Sequence, residues 1–181
     1  MSMKCIQAIS IVFVFLLSFS VSLFGQQKST KSYVNDTSSV QNLLDAYYNC
    51  ISGPIGQKRD FDRLKNLFHP TVKFTYSYWN TEGTKASVMV FKSVEEYISK
   101  LGYLDKKGFY EQEIANKTNQ FGAVIQVFSS YKYWVEDRSI PSNRGVTSYE
   151  IFYDGNRYWF LSMFWMSENE KYRIPAKYVK N

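Results

Sequence analysis

The sequence is poor in the residues that bind metals or form disulfides, with one histidine and two cysteines among 181 residues. Removal of residues 1–25 would remove Cys5 and leave Cys50 as the only thiol, and one thiol cannot form an internal disulfide. Cys50 sits within an apolar helical pattern, which favours a buried structural thiol. A zinc site of ordinary ligand number is not expected. We predict neither a metal nor a cofactor.

Several catalytic and binding signatures are also missing. The sequence contains no glycine-rich nucleotide loop and no Gly-x-Ser-x-Gly elbow, which argues against kinase and serine hydrolase chemistry. The 22 lysines and arginines exceed the 16 acidic residues, but they are scattered along the chain rather than clustered. This pattern serves solubility and predicts no nucleic-acid partner.

The N-terminus resembles an export signal. Lys4 precedes an apolar run over residues 6–24, and the small residue Gly25 follows. This order predicts a signal peptide over residues 1–25 and an exported protein, periplasmic or secreted. The run approaches the length of about 18 apolar residues that can span a bilayer, so an uncleaved anchor is the alternative, and only then a membrane partner. We expect residues 26–36 to be a flexible lead-in and residues 37–179 to form one domain.

Apolar spacing predicts three helices in the first half of the domain. In the first helix one face carries Val40, Leu43, Leu44, Tyr47, Tyr48 and Ile51. Ser38 with Gln41 is expected to cap its start. A short second helix follows Asp60 and is expected to end at His69-Pro70. The third begins at Ser93, which is paired with Glu96.

Six aromatic-rich segments read as strands: residues 71–79, 85–91, 109–117, 121–135, 146–153 and 157–165. Their order predicts an antiparallel sheet in an α+β fold. On the last strand Trp159, Leu161, Met163 and Trp165 alternate with Tyr158, Phe160, Ser162 and Phe164. Both faces of the sheet are therefore partly apolar, which favours a homodimer through the outer face.

The chain resembles the nuclear transport factor 2-like (SnoaL-like) superfamily, and within it a bacterial group of exported or cytoplasmic proteins of unsettled function. The matching segments are LKNLFHPTVKF (64–74), SVEEYISK (93–100), residues 109–134, RGVTSYEIFYDGNRYWFLSMFW (144–165) and IPAKY (174–178). The resemblance implies a cone-shaped curved antiparallel sheet wrapped around N-terminal helices. It also implies an apolar cavity suited to small hydrophobic ligands.

Two kinds of residue are candidates for catalysis. His69 would act either as a general base in the pocket or as a cap on the second helix. Glu111 and Glu113 alternate on one strand and so share a face with Phe109. A carboxylate surrounded by aromatic rings there would have a raised pKa and would serve as an acid or base. The alternative is an exposed face, or a salt bridge with Lys132 or Arg144.

The next strand offers the walls and hydroxyl groups of a ligand site. Ser129, Tyr131 and Tyr133 share one face, and we expect Trp165 near the cavity mouth. Together with Glu111 and Glu113 they form the predicted ligand-binding set, although core packing explains the same pattern. Glu150 is a further carboxylate that either reaches inward or lies on the dimer side.

The sequence therefore predicts an exported, homodimeric domain that binds a small apolar or amphipathic molecule. One alternative is a cofactor-free lyase or isomerase, with a pocket carboxylate or His69 as base and a tyrosine to steady developing charge. The other is a protein-interaction module that uses the outer sheet face.

Overall fold

The computed structural model describes residues 33–179. The predicted signal peptide and residues 26–32 of the lead-in lie outside these described residues. Regular structure begins with a 3-10 turn at Val34–Thr37, and the Asp36 carboxylate pairs with the Arg63 guanidinium at 2.7 Å. Within residues 33–179, no helix is both long enough and apolar enough to cross a membrane.

The cap of the first helix, α1 (Val40–Ile51), is Ser39, one residue later than predicted. Ser39 has extended backbone angles, and its side chain accepts a hydrogen bond from the Asn42 amide. Ser38 instead donates its hydroxyl proton to the Asn35 carbonyl and closes the preceding 3-10 turn. The sequence places two serines side by side, and only the extended backbone of Ser39 allows it to cap the helix.

Two further helices start where the sequence predicts. Helix α2 (Phe61–Lys65) is capped by Asp60, and α3 (Val94–Leu101) is capped by Ser93. The end of α2 differs from the prediction, because the helix stops at Lys65 and His69-Pro70 already belongs to a strand. Phe68 pairs with Phe160 across the sheet, which draws this segment into extended structure.

The six strands form one open mixed sheet. They are β1 (Phe68–Trp79), β2 (Ala86–Phe91), β3 (Phe109–Phe121), β4 (Val124–Val135), β5 (Asn143–Tyr153) and β6 (Tyr158–Ser167). Their order across the sheet is β2-β1-β6-β5-β4-β3. All neighbouring pairs are antiparallel except β1 and β6, which run parallel. The predicted α+β class is confirmed, and the expectation of a purely antiparallel sheet is wrong at this one pair.

Helix α1 packs on one side of the sheet, which we call the inner face. Residues buried between them include Leu43, Leu44, Phe74, Ile125, Val127, Tyr149, Ile151 and Phe160. Burying each large apolar side chain stabilises the fold by about 1.5–3 kcal/mol. Cys50 is buried in this core as predicted, and burial raises the pKa of its thiol to about 12.

Two β-bulges change which residues face inward. On β6, Ser162 pairs with Glu150 and Phe160 pairs with Ile151, so Leu161 is an extra residue. As a result Phe160 and Met163 are both buried in the core, and the strict alternation predicted for this strand is wrong. On β3, Ile114 is the extra residue between the Glu113–Tyr131 and Ala115–Ser130 pairs.

The C-terminal segment, residues 168–178, folds back over the outer face of the sheet. The Tyr172 ring stacks on Trp79 with centroids 4.5 Å apart, and the Tyr178 ring contacts Phe128 at 4.8 Å. The Ser130 hydroxyl donates a hydrogen bond to the Tyr178 carbonyl. This segment therefore covers part of the outer face with the chain's own residues. Val88, Val90 and Phe164 remain exposed.

Candidate functional site

A pocket of about 410 Å³ opens between the inner face of the sheet, α1, α3 and the 3-10 segment Gly102–Lys106. Its lining is mainly aromatic and aliphatic. The side chains that line it include Tyr47, Ile51, Tyr76, Phe91, Tyr97, Leu101, Leu104, Phe109, Glu111, Tyr131, Tyr133, Val135, Thr147, Met163, Trp165 and Ser167. Lys100 and Tyr103, which are both exposed, lie at its edge.

Packing between aromatic rings fixes the pocket walls. Trp165 stacks on Phe91 at 5.9 Å and lies 5.7 Å from the Tyr76 ring. On the opposite side Phe109 stacks on Tyr133 at 5.6 Å. These contacts join β1, β2 and β6 on one wall and β3 and β4 on the other. Because each ring is held by a neighbour from another strand, the walls are largely preformed.

Among the described residues, Glu111 is the only one with a carboxyl group that lines this pocket. It pairs across the strands with Tyr133, and its amide donates to the Ser52 hydroxyl oxygen at 2.9 Å. Those contacts hold the backbone, whereas no described side chain or backbone group hydrogen-bonds to the carboxyl. Burial raises the pKa of the Glu111 carboxyl to about 8, so the group is mostly protonated at neutral pH.

Seven tyrosines interact electrostatically with this carboxyl group. Its charge helps to raise the pKa of each of them, although burial is the larger cause in every case. We call this set the tyrosine cluster: Tyr47, Tyr48, Tyr97, Tyr103, Tyr131, Tyr133 and Tyr149. The Tyr47 and Tyr97 hydroxyl groups share a hydrogen bond of 2.7 Å that joins α1 to α3. All seven hydroxyl groups are neutral at ordinary pH and can donate hydrogen bonds.

Glu113 lies two residues further along β3 but belongs to a different environment. Its carboxylate accepts hydrogen bonds from the Ser129 hydroxyl at 2.6 Å and the Asn116 amide at 2.9 Å. Gln41 on α1 donates a longer one at 3.4 Å. This group lines a polar cleft beside α1, which Glu111 also lines, but it does not line the aromatic pocket. Ser129 is fully buried and continues the network to the Tyr48 hydroxyl at 3.3 Å.

His69 lies away from the pocket, on the outer side of the sheet. Its Nδ1 is 2.8 Å from the Thr71 hydroxyl oxygen, and its ring meets Phe152 and Trp159 edge-on at about 6 Å. It therefore neither caps α2 nor lines the pocket. Glu150 is likewise exposed on the outer face of β5.

The structure brings together four of the six residues in the predicted ligand-binding set. Glu111, Tyr131, Tyr133 and Trp165 line the pocket, whereas Glu113 and Ser129 bond to each other outside it. Sequence reasoning missed Tyr47, which appeared only as an inward-facing helix residue, and also Tyr76, Tyr97, Thr147 and Ser167. The tyrosines could have been recognised from their hydroxyl groups, because a buried hydroxyl group needs a hydrogen-bond partner.

The chemistry available is that of one carboxyl group and several phenols. Among the described residues no cluster of three metal-ligating side chains occurs. Lys100 at the edge is the one cation that lines the pocket within residues 33–179. The arrangement suits hydrogen bonding, proton transfer by Glu111 and contact with an apolar ligand.

No protein-family model matches the chain, and no curated protein matches it either. Solved structures do resemble it. A protein of unknown function with a cystatin-like fold from Nostoc punctiforme has a TM-score of 0.56 at 9% identity, over 72% of this chain and 90% of that one. A proposed dehydratase of the nuclear transport factor 2-like family from Streptomyces avermitilis has a TM-score of 0.54 at 12% identity, over 74% and 96%.

The beta subunit of a proposed aromatic-ring-hydroxylating dioxygenase from Novosphingobium aromaticivorans is similar to the same degree. Its TM-score is 0.55 at 16% identity, over 78% of this chain and 94% of that one. At such identities the likeness shows the fold alone. The chain therefore has the nuclear transport factor 2-like fold, and the resemblance seen in the sequence is confirmed at that level.

Proposed function

We propose that the protein binds one small, largely apolar or amphipathic molecule in the aromatic pocket around Glu111. The observation that carries this proposal is a half-buried carboxyl group, without a hydrogen-bond partner among the described residues, that lines a preformed aromatic pocket of about 410 Å³. An unpaired polar group in such a place costs stability unless a ligand or solvent satisfies it.

The size and lining of the pocket support this proposal. Ligand sites usually occupy about 300–1,000 Å³ and combine apolar walls with a few polar groups. Here the walls are supplied by Leu101, Phe109, Met163 and Trp165. The polar groups are supplied by Glu111 and by the five members of the tyrosine cluster that line the pocket: Tyr47, Tyr97, Tyr103, Tyr131 and Tyr133. The ligand would lay its apolar body against the walls and direct one polar group toward Glu111.

Native mass spectrometry of the mature protein, purified from its own source, tests this proposal. We expect a co-purified small molecule that is lost from Leu101→Trp, because the larger side chain fills part of the pocket. Ile98→Trp is the matched control, since Ile98 is also partly buried on α3 but does not line the pocket. A bound molecule retained equally by both variants would place the binding site elsewhere.

A second candidate function is a cofactor-free lyase or isomerase. The raised pKa of Glu111 favours it, because a carboxyl group with a pKa near ambient pH exchanges protons efficiently. Glu111 would be the acid or base, and a hydroxyl group of Tyr131 or Tyr97 would stabilise developing negative charge. Neither His69 nor Glu113 lines the pocket, so the role passes to Glu111.

Exchange of α-protons tests catalysis without knowledge of the substrate. Small cyclic ketones would be incubated with the protein in D₂O, and deuterium uptake would be followed by mass spectrometry. We expect uptake above the buffer rate for the wild type and its loss in Glu111→Gln. If every ketone takes up deuterium only at the buffer rate, the result counts against catalysis, and ligand binding remains the proposed function of this pocket.

We also propose that the protein is exported and forms a homodimer through the outer sheet face. The N-terminal sequence supports export, and exposed Val88, Val90 and Phe164 support an interface beside the C-terminal segment. Sedimentation of the mature protein should show a dimer that Phe164→Ser weakens. A monomer at high concentration would favour the alternative of an interaction module, in which the same face binds another protein.

A further inference from the structure

The polar groups of the pocket are unevenly distributed, and this limits the chemistry of a ligand. Hydroxyl donors are abundant, because five members of the tyrosine cluster line the pocket from α1, α3, the 3-10 segment and β4. A ligand that brings only a hydrogen-bond acceptor would therefore find donors without Glu111. What the pocket lacks is a positive charge opposite its carboxyl group.

No described residue supplies that charge. Lys100 is the one cation that lines the pocket among residues 33–179, and its side chain is exposed at the edge. Burial alone accounts for the raised pKa of Glu111, with no contribution from a neighbouring cation. Burial therefore favours the protonated form of this carboxyl group at neutral pH, and a ligand that carried a positive charge would favour its ionised form.

The pocket walls also favour a cation. Aromatic faces attract ammonium groups electrostatically, and cages of aromatic rings are a recurring way to bind them. Trp165, the strongest of these rings for such contacts, lies beside Tyr76 and Tyr97 at 5.7 and 6.1 Å. The same rings bury the apolar body of the ligand.

From these observations we infer that the pocket binds an apolar amine, with the ammonium group paired to the Glu111 carboxylate and held among the aromatic rings. This inference rests on the proposed binding function and names its ligand class. It distinguishes the pocket from one that binds a neutral carbonyl compound, in which the protonated Glu111 would donate a hydrogen bond.

Three soluble probes with a similar phenylalkyl skeleton test the inference by isothermal titration calorimetry. They are 2-phenylethylamine, which is cationic, 2-phenylethanol, which is neutral, and 3-phenylpropanoate, which is anionic. We expect the amine to bind the wild type at least tenfold more tightly than either of the others. Its affinity should rise about eightfold between pH 7 and pH 8.5, because the ionised fraction of Glu111 rises over that interval.

Variants assign the effect to one carboxyl group. Glu111→Gln should abolish the preference for the amine and its pH dependence. Glu113→Gln, two residues away on the same strand and outside the pocket, should retain both. The pH dependence of the wild type does not require any variant to fold, so it tests the inference independently.

Two outcomes overturn the inference, and they differ in what they say about the pocket. If 2-phenylethanol or 3-phenylpropanoate binds as tightly as the amine, the pocket binds ligands but not amines as a class, and the proposed function stands. If none of the three binds the wild type at either pH, the result counts against both the inference and the proposed function.

Discussion

The Tyr131 ring packs against Gly145, its partner on the neighbouring strand, and fills the space that a side chain at position 145 would occupy. A Cβ atom at Gly145 would come closer than 3.0 Å to the Tyr131 ring and hydroxyl and would be 2.6 Å from the Met166 carbonyl. Because Tyr131 lines the pocket, this glycine sets the shape of the site.

We expect Gly145→Ala to destabilise the protein by about 1–3 kcal/mol, since the methyl group overpacks a filled position. Denaturant unfolding measures this change. Gly102→Ala is the control, because Gly102 has ordinary helical angles and a Cβ there meets nothing within 4 Å. That control should be neutral or slightly stabilising. Equal effects of the two substitutions would contradict the packing described for Tyr131.

The hydrogen bond between Tyr47 and Tyr97 should be measurable in the free energy of unfolding. Removing either hydroxyl leaves the other buried without its partner, so Tyr47→Phe and Tyr97→Phe should each cost about 1–3 kcal/mol. The double variant should cost less than the sum of the two, because both polar groups are then gone. Tyr103→Phe, at a half-exposed position, should have little effect. Strict additivity would show that the two hydroxyls do not interact.

Stability should fall as pH rises, through Glu111. Its pKa is about 8 in the folded protein against 4.5 for an ordinary glutamate, so the folded state binds the extra proton between these values. The contribution is fully present below about pH 4.5 and is lost as pH rises through about 8. The slope reaches about 1.4 kcal/mol per pH unit at most.

Denaturant unfolding at pH 5.5, 7 and 8.5 checks this linkage. As pH rises, the unfolding free energy of the wild type should fall steadily relative to that of Glu111→Gln. Glu113→Gln should follow the wild-type profile more closely. Parallel profiles for the wild type and Glu111→Gln would contradict the raised pKa.

The C-terminal segment should depend on Glu168. Its buried carboxylate accepts hydrogen bonds from the Arg144 guanidinium at 2.8 and 3.0 Å and from the Ile174 amide at 3.1 Å. Burial opposes ionisation, but these bonds lower the pKa of Glu168. We expect Glu168→Gln to speed amide hydrogen exchange across residues 169–178, because the segment loses its main charged contact. The exposed neighbour Glu170 supplies the control, Glu170→Gln, which should leave that exchange unchanged.

Most of the fold could be predicted from the sequence, because local signals specify it. Apolar spacing, the caps Asp60 and Ser93 and the aromatic strands all lie within short stretches of chain. The exceptions depend on distant contacts. The parallel pairing of β1 with β6 joins segments about 90 residues apart. The bulge at Leu161 leaves no mark in the hydrophobic pattern, because both faces of this strand are apolar.

The site was harder to predict for the same reason. Alternation shows that Glu111 and Glu113 share a face, but it cannot show that both line a polar cleft beside α1 whereas only Glu111 also lines the aromatic pocket. Tyr47 and Tyr97 lie 50 residues apart, and only the packing of α1 against α3 brings their hydroxyl groups together. His69 was misplaced because its helix ends earlier, at Lys65.

The most direct test of the central claim is an NMR titration of the Glu111 side-chain carboxyl carbon in the free protein. The signal is assigned by its absence from Glu111→Gln. We expect a titration midpoint near pH 8, since the carboxyl group is half-buried in an aromatic pocket without a cationic partner. A midpoint near that of an ordinary glutamate, about 4.5, would show a solvated or paired carboxylate and would contradict the account.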